Sequence, residues 1–294
     1  MMKLLYEAVR NRLRMRGGPE SETPDPWLPI FEQSSGRMLS APARWLCGIT
    51  DIGKRRNKNE DGYFLSADGR LWIVADGMGG HAAGEVASAL TIHAIASALE
   101  TAGPEPAAVR GTDRLIEAFA AANQQVSGRS QSDTSCQGMG STAIAAILCG
   151  EALHLCHVGD TRCYHLSERL FRRLTNDHSL IWEMVMSGLM TSDQARQHPH
   201  RGRVTQAIGM PSALRPEVNS IILKPSDRVL LCSDGLWEAL AEQEIAEIVG
   251  SAGSMLELAL MLIDRANAAS GQDNITAVLY EHDTRPAAHR RQSP

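Results

Sequence analysis

Five aspartates stand where a folding chain rarely leaves an unpaired charge. Asp76 ends the apolar run Leu71-Trp72-Ile73-Val74-Ala75, Asp160 follows Val158-Gly159, and Asp234 follows Leu231-Cys232-Ser233. Asp61 and Asp273 precede the apolar segments that begin at Tyr63 and Ile275. A carboxylate at the tip of a buried strand is costly unless something positive lies beside it, and no basic residue adjoins Asp76 in sequence. One acid next to a glycine is an ordinary turn, whereas several such corners in one chain suggest convergence on a single site. Carboxylates brought together repel unless cations neutralise them. An all-oxygen donor set suits hard divalent ions, Mg²⁺ or Mn²⁺. Gly77, Gly79 and Gly80 carry no side chain, so backbone carbonyls and a ligand can come close.

Arg55 and Arg56 lie just before Asp61. Such an arginine could simply pair with an acid, but a planar guanidinium is also the preferred bidentate partner of a phosphate. Two metals and one arginine suffice for phosphoester hydrolysis: the metals bind and acidify a water, and the arginine orients the ester. His154-Leu155-Cys156-His157 resembles a metal set only superficially. Alternation along a strand sends His154 and Cys156 to one face and His157 to the other.

The elements that must position these groups follow from periodicity. Apolar runs predict strands over 44–50, 63–66, 71–75, 141–148, 152–158, 162–166, 170–174, 218–223, 228–232 and 275–280. Spacings of three and four predict helices over 85–100, 112–127, 178–188, 192–197, 242–249 and 254–268. The Ser/Gln/Gly-rich stretch 127–140 reads as a flexible connection, and 198–210 as irregular. Strands cluster in groups with helices between the groups, which favours an α+β fold of antiparallel sheets with helices outside. Residues 1–40 form an N-terminal extension, loosely ordered. Its first sixteen residues are basic with one weakly apolar helical face, and Pro19, Pro24, Pro26 and Pro29 then punctuate a linker. The folded domain spans 41–283, and 284–294 is a polar tail.

A 294-residue chain with 43% hydrophobic and 21% charged residues is long enough and apolar enough for a sizeable core. A net charge of -5 and 4% aromatics argue against nucleic-acid binding. Six cysteines without a CxxC pair fit a reduced, cytoplasmic setting. No apolar stretch is long enough for stable membrane insertion, and no signal-peptide core is visible at the N-terminus.

Taken together in order, Gly53-x-x-Arg56-x-x-Asn59-Glu60-Asp61, Val74-Ala75-Asp76-Gly77-Met78-Gly79-Gly80, Gly140-Ser141-Thr142, Val158-Gly159-Asp160-Thr161-Arg162, Leu174-Thr175-x-Asp177-His178-Ser179, Ser233-Asp234-Gly235-Leu236-Trp237 and Asp273-Asn274-Ile275-Thr276 resemble the metal-dependent protein phosphatases of the PPM (PP2C-like) family in their compact bacterial form. The likeness covers about residues 44 to 281. It implies a four-layer α-β-β-α sandwich with a dinuclear site at one end of two mainly antiparallel sheets. By that resemblance Asp76 bridges both Mn²⁺ or Mg²⁺ ions, the Gly77 carbonyl binds one, and Asp234 and Asp273 complete the pair. Glu60 and Asp61 hold waters of the metals, Asp160 joins Asp234 in a third, weaker site, and Arg56 binds the substrate phosphate.

The resemblance also implies hydrolysis of phosphoserine and phosphothreonine in proteins, opposing a bacterial Ser/Thr kinase, and a flap over about 177–209. The basic residues of that flap could steer a phosphorylated peptide, whereas its histidines are expected to be solvated or capping groups. Two departures from the family pattern stand out. Met78 replaces a histidine found in many eukaryotic members and cannot donate a proton, and Thr161 stands where serine is usual. A catalytically weak regulatory or binding module and a metal-dependent phosphodiesterase are the competing expectations. A monomer is the simplest assembly.

Overall fold

The computed structural model describes residues 37–43, 45–79, 83–101, 111–191, 194–195, 198–210 and 213–282. The proposed basic helix and proline linker, Gly80, most of the helix expected over 192–197 and the C-terminal tail lie outside these residues.

Two antiparallel sheets form the centre. The first runs in the order β1 (Arg37–Ala43), β2 (Leu46–Asp51), β11 (Ile275–Glu281), β10 (Arg228–Cys232), β7 (Arg162–Ser167), β8 (Leu170–Arg173). The second runs β3 (Asp61–Leu65), β4 (Leu71–Met78), β5 (Gly140–Cys149), β6 (Ala152–Val158), β9 (Glu217–Ile222). Helices α1 (Ala83–Thr101) and α2 (Gly111–Ser132) pack on the second sheet, α1 chiefly against β4 and β5. Helices α4 (Asp234–Trp237), α5 (Glu242–Gly250) and α6 (Met255–Ala269) cover the first. A short helix, α3 (Leu180–Met186), stands apart in the segment between β8 and β9.

Alternation along each strand sorts the core into layers. Leu46, Trp72, Val74, Ile144, Leu231, Val278 and Tyr280 fill the space between the sheets. Ile49, Leu230, Cys232 and Leu279 point the other way, onto Leu258, Leu262 and Ile263 of α6. The apolar faces of both sheets are therefore buried twice, which is why these strands read as continuous hydrophobic runs.

Four sequence expectations change. Among the described residues the first strand is β1, which pairs Arg37 with Asp51, so it starts inside the segment assigned to the extension. Strand β4 does not stop at Asp76; it continues through Gly77 to Met78, paired with Gly140. Helix α2 runs on to Ser132, followed by a 3₁₀ turn at Thr134–Cys136 that Asp133 caps through the Ser135 N–H. Its polar residues suggested a flexible connection, but an Arg129–Asp133 ion pair and Ser127 bonding back to the Asn123 carbonyl accommodate them in the helix. Asp234, expected at the end of a strand, instead begins a helical turn, α4.

Candidate active site

The same alternation carries a set of polar residues to one end of the layer between the sheets. Val74 and Trp72 face the partner sheet, so Asp76 two residues on shares their face; Tyr63 does the same for Asp61, and Val278 for Thr276. Asp61 and Asp76 are direct cross-strand partners. Asp61 Oδ2 accepts hydrogen bonds from Ser233 Oγ at 2.6 Å and Thr276 Oγ1 at 2.7 Å, the first just past the end of β10 and the second in β11, both on the side of the opposite sheet. Thr276 Oγ1 lies 2.7 Å from Thr50 Oγ1, which accepts from Asn59 Nδ2 at 2.8 Å. With its own proton committed to Asp61, Thr276 accepts from Thr50. The result is a directed chain, Asn59 to Thr50 to Thr276 to Asp61, that clamps the sheets at the site.

Asn274 fixes the approaching loop. Its Nδ2 donates to the carbonyls of Ile52 (3.0 Å) and Lys58 (2.9 Å), and its Oδ1 accepts the Glu60 N–H at 2.8 Å. Two glycines allow the close approaches. A Cβ on Gly77 would lie 1.9 Å from the Gly84 carbonyl oxygen, and one on Gly235 would lie 2.0 Å from that of Asn274. The Gly84 backbone in turn bonds the Glu60 carboxylate.

Arg56, Glu60, Asp76, Gly77, Asp234 and Asp273 line one cleft of about 450 Å³. Asp61 and Asp160 do not line it; each is 3% exposed, and both interact electrostatically with the acids that do. Arg56 Nη2 donates to Asp273 Oδ2 at 2.6 Å, so its guanidinium rests on one of the acids at the cleft wall. Glu238, Asn274, Pro199, Gly202 and Arg201 also line the cleft, and Arg201 Nε is held 3.1 Å from Glu238 Oε2. Arg201 is thus a second guanidinium facing the acids from the flap. Glu238 and the Thr50–Thr276 chain are absent from the sequence reading, although continuing the strand alternation past the last apolar residue would have exposed the hydroxyls.

Burial raises the proton affinity of several of these acids. It pushes Asp61 up to about 6 and Asp160 to about 7, and Asp76 and Asp234 well above the usual carboxylate range, with mutual repulsion adding to burial. Burial also raises Glu60, against Arg56. Two further hydroxyls, Thr142 Oγ1 and Thr161 Oγ1, are buried and have no hydrogen-bond partner among the described residues. Thr142 is the ladder partner of Asp76, and a Cβ on Gly159 would lie 2.4 Å from its side chain. Clustered acids and orphaned hydroxyls of this kind fit hydrated hard divalent cations.

The flap is tied down at its root. Ser179 bridges Val204, Ser141 bridges Ile208, and Ser179 Oγ caps α3 at Trp182 N. Arg162 Nε bonds Asp177 Oδ1 at 2.9 Å, its guanidinium carbon lies 3.5 Å over the Trp237 ring, and Trp237 Nε1 donates to the Asp160 carbonyl.

His178 departs from expectation: it is packed and not solvated. It stacks on His157 with ring centroids 4.8 Å apart, and burial drives it down to about 4. Glu217 Oε2 lies 4.0 and 3.9 Å from their Nε2 atoms, but this trio is a poor metal site. His157 Nε2 must donate to the Asn176 carbonyl, and His178 Nδ1 must accept from the Gly159 N–H, so both Nε2 atoms carry protons.

Comparison with known proteins agrees with this architecture. The family model for protein phosphatase 2C matches residues 54–279. The serine/threonine phosphatase stp of Listeria monocytogenes is 35% identical over 237 residues, 80% of this chain and 94% of that protein. The Mycobacterium tuberculosis serine/threonine phosphatase PstP/Ppp superposes with a TM-score of 0.74 at 31% identity, over 84% of this chain and 99% of its own. The catalytic domain of PstP in complex with two manganese ions gives 0.73 at 31% identity, over 84% of this chain and all of that one. The chain belongs to the protein phosphatase 2C family. Within it, the sequence is that of a bacterial-type serine/threonine protein phosphatase. Among the described residues, no helix is long and apolar enough to cross a membrane.

Proposed function

We propose that the chain hydrolyses phosphoserine and phosphothreonine in proteins using two divalent cations, Mn²⁺ or Mg²⁺, held by Asp76, the Gly77 carbonyl, Asp234 and Asp273, with Asp160 and Asp234 offering a third, weaker position. The observation that carries this reading is the buried, mutually repelling carboxylate cluster, whose raised proton affinity is relieved by cations. When bound, the cations supply an acidified water and offset the charge of the phosphate.

The protein's own groups do the rest. Asp61, fixed by the Ser233 and Thr276 hydroxyls, and Glu60, bonded to Gly84, orient water at the cleft. Arg56 takes the phosphate oxygens in place of its bond to Asp273, and Arg201 draws the dianion in from the flap side. Met78 offers no proton, so the leaving serine or threonine oxygen takes one from water in the cleft.

The physiological partners under this reading are the phosphorylated targets of a Ser/Thr kinase. The six free cysteines, five of them buried, support a reducing, cytoplasmic location.

The test is Mn²⁺-dependent release of phosphate from a phosphothreonine peptide by the full chain and by Asp76→Asn. The native chain is expected to be active only with metal, and Asp76→Asn inactive at every metal concentration. A native chain that binds the peptide without hydrolysing it would instead be a regulatory module.

A further inference from the structure

A second depression opens beside the catalytic cleft, with a volume of about 610 Å³. Met78 and Met210 line it with partly exposed side chains, Gly138, Gly140 and Gly209 leave side-chain-free stretches, Thr134 and Gln137 add uncharged polar groups, and Met139 lies buried beneath. Ser127, Ser130 and Gln131 of α2 form the opposite rim, and among the described residues none that lines it is charged. The catalytic cleft is its chemical opposite, lined by Arg56, Glu60, Asp76, Arg201, Asp234 and Glu238. Methionine side chains are unbranched and polarisable, which suits them to apolar groups of varied shape. The rim is built and not incidental: Ser130 Oγ accepts the Gly138 N–H at 3.0 Å, and Asn123 Oδ1 accepts the Gly209 N–H at 2.8 Å.

Met78 lines both depressions, so the two adjoin at that side chain. It lies two residues beyond Asp76 on β4, about 7 Å along the strand. An extended peptide advances by about the same amount over two residues. A phosphorylated side chain seated at Asp76 and Arg56 therefore puts a close sequence neighbour over the groove.

We propose that this groove receives an apolar side chain of the phosphoprotein substrate, within three residues of the phosphorylated one. The proposal rests on the catalytic reading above. It makes the enzyme a selective one, preferring phosphosites flanked by leucine, isoleucine or methionine on one side over sites flanked by charge.

The experiment is a scan of alanine-based phosphothreonine peptides with single leucine or glutamate substitutions at positions -3 to +3, using the full chain with Mn²⁺. Turnover of p-nitrophenyl phosphate, which brings no side chain to the groove, is the internal reference. Leucine at one position is expected to raise kcat/KM at least about fivefold, about 1 kcal/mol, and glutamate there to give no gain. In Met210→Glu and in Gln131→Trp that advantage is expected to fall below about twofold relative to p-nitrophenyl phosphate. No leucine preference at any position, or a preference that survives both substitutions, overturns the groove assignment. A native chain that turns over neither p-nitrophenyl phosphate nor any peptide overturns the catalytic reading itself.

Discussion

Asp76 faces Asp61 across the β3–β4 ladder with Asp160, Asp234 and Asp273 close enough to raise its proton affinity further. Placing that many acids in one buried spot works against folding unless cations or protons neutralise them. Asp76→Asn removes a half-buried charge while keeping the shape, so the metal-free variant should melt no lower than the metal-free native chain, while its Mn²⁺ affinity falls at least about tenfold. Calorimetric titration and thermal melting read the two effects separately. A lower melting point without metal would mean that the carboxylate serves the fold.

Arg56 lends itself to a different separation. It is 47% exposed in its side chain and pairs with Asp273, so its loss should leave stability within about 0.5 kcal/mol. Arg56→Ala should raise KM for a phosphopeptide about tenfold, lower kcat less, and leave Mn²⁺ binding largely intact. If the variant loses its metals, the arginine belongs to the metal site and not to the substrate.

At the scale of elements, the site depends on strand β4 passing tightly beneath the start of α1, and on α4 resting on the Asp273–Asn274 loop. Gly77 and Gly235 make those approaches possible, each against a backbone oxygen that cannot rotate away. Gly77→Ala and Gly235→Ala should each destabilise by about 3 kcal/mol in denaturant unfolding, and the survivors should bind Mn²⁺ more weakly because the carboxylates move with their backbone. Unchanged stability in both would mean that the loops shift freely and that the site is less rigid than its hydrogen bonds indicate. The flap has a comparable dependence on its root. Ser179→Ala removes the cap of α3 and should cost about 1 kcal/mol locally, visible as faster amide exchange in 180–186.

For the whole molecule, the acid cluster sets the response to pH. Asp61 and Asp160 hold protons in the folded state up to about 6 and 7, whereas in the unfolded chain they ionise near 4. Between these values the folded state binds more protons at these two acids than the unfolded, so they make stability without metal fall as pH rises from about 4 to 7, while His178, driven down by burial, contributes in the opposite sense. Cations compete with the same protons, so Mn²⁺ should raise the melting temperature more at pH 8 than at pH 5.5. Melting curves with EDTA and with Mn²⁺ at the two pH values test this. A metal-free protein that is more stable at pH 8 would reverse the sign and disconnect the cluster from stability.

The sequence by itself determined an α+β fold of antiparallel sheets with helices outside, because doubly buried strands and amphipathic helices leave periodic signatures, and the shared family motifs added the two-sheet sandwich. Acids abutting apolar runs made Asp76, Asp160, Asp234 and Asp273 conspicuous along the chain, whereas the roles of Arg56, Glu60 and the Gly77 carbonyl came from the ordered motifs shared with the family. Only the tertiary structure decided the rest. β1 has little apolar periodicity of its own and exists because Asp51 and its neighbours give it an edge to pair with. Glu238 and the groove between α2 and Met210 come together from segments far apart in sequence, so no local pattern announces them, and Arg201 reads in sequence only as one of several basic flap residues. His157 and His178 are neutral because packing strips them of water. Desolvation and convergence are properties of the folded volume, and they gather scattered acids at one cleft.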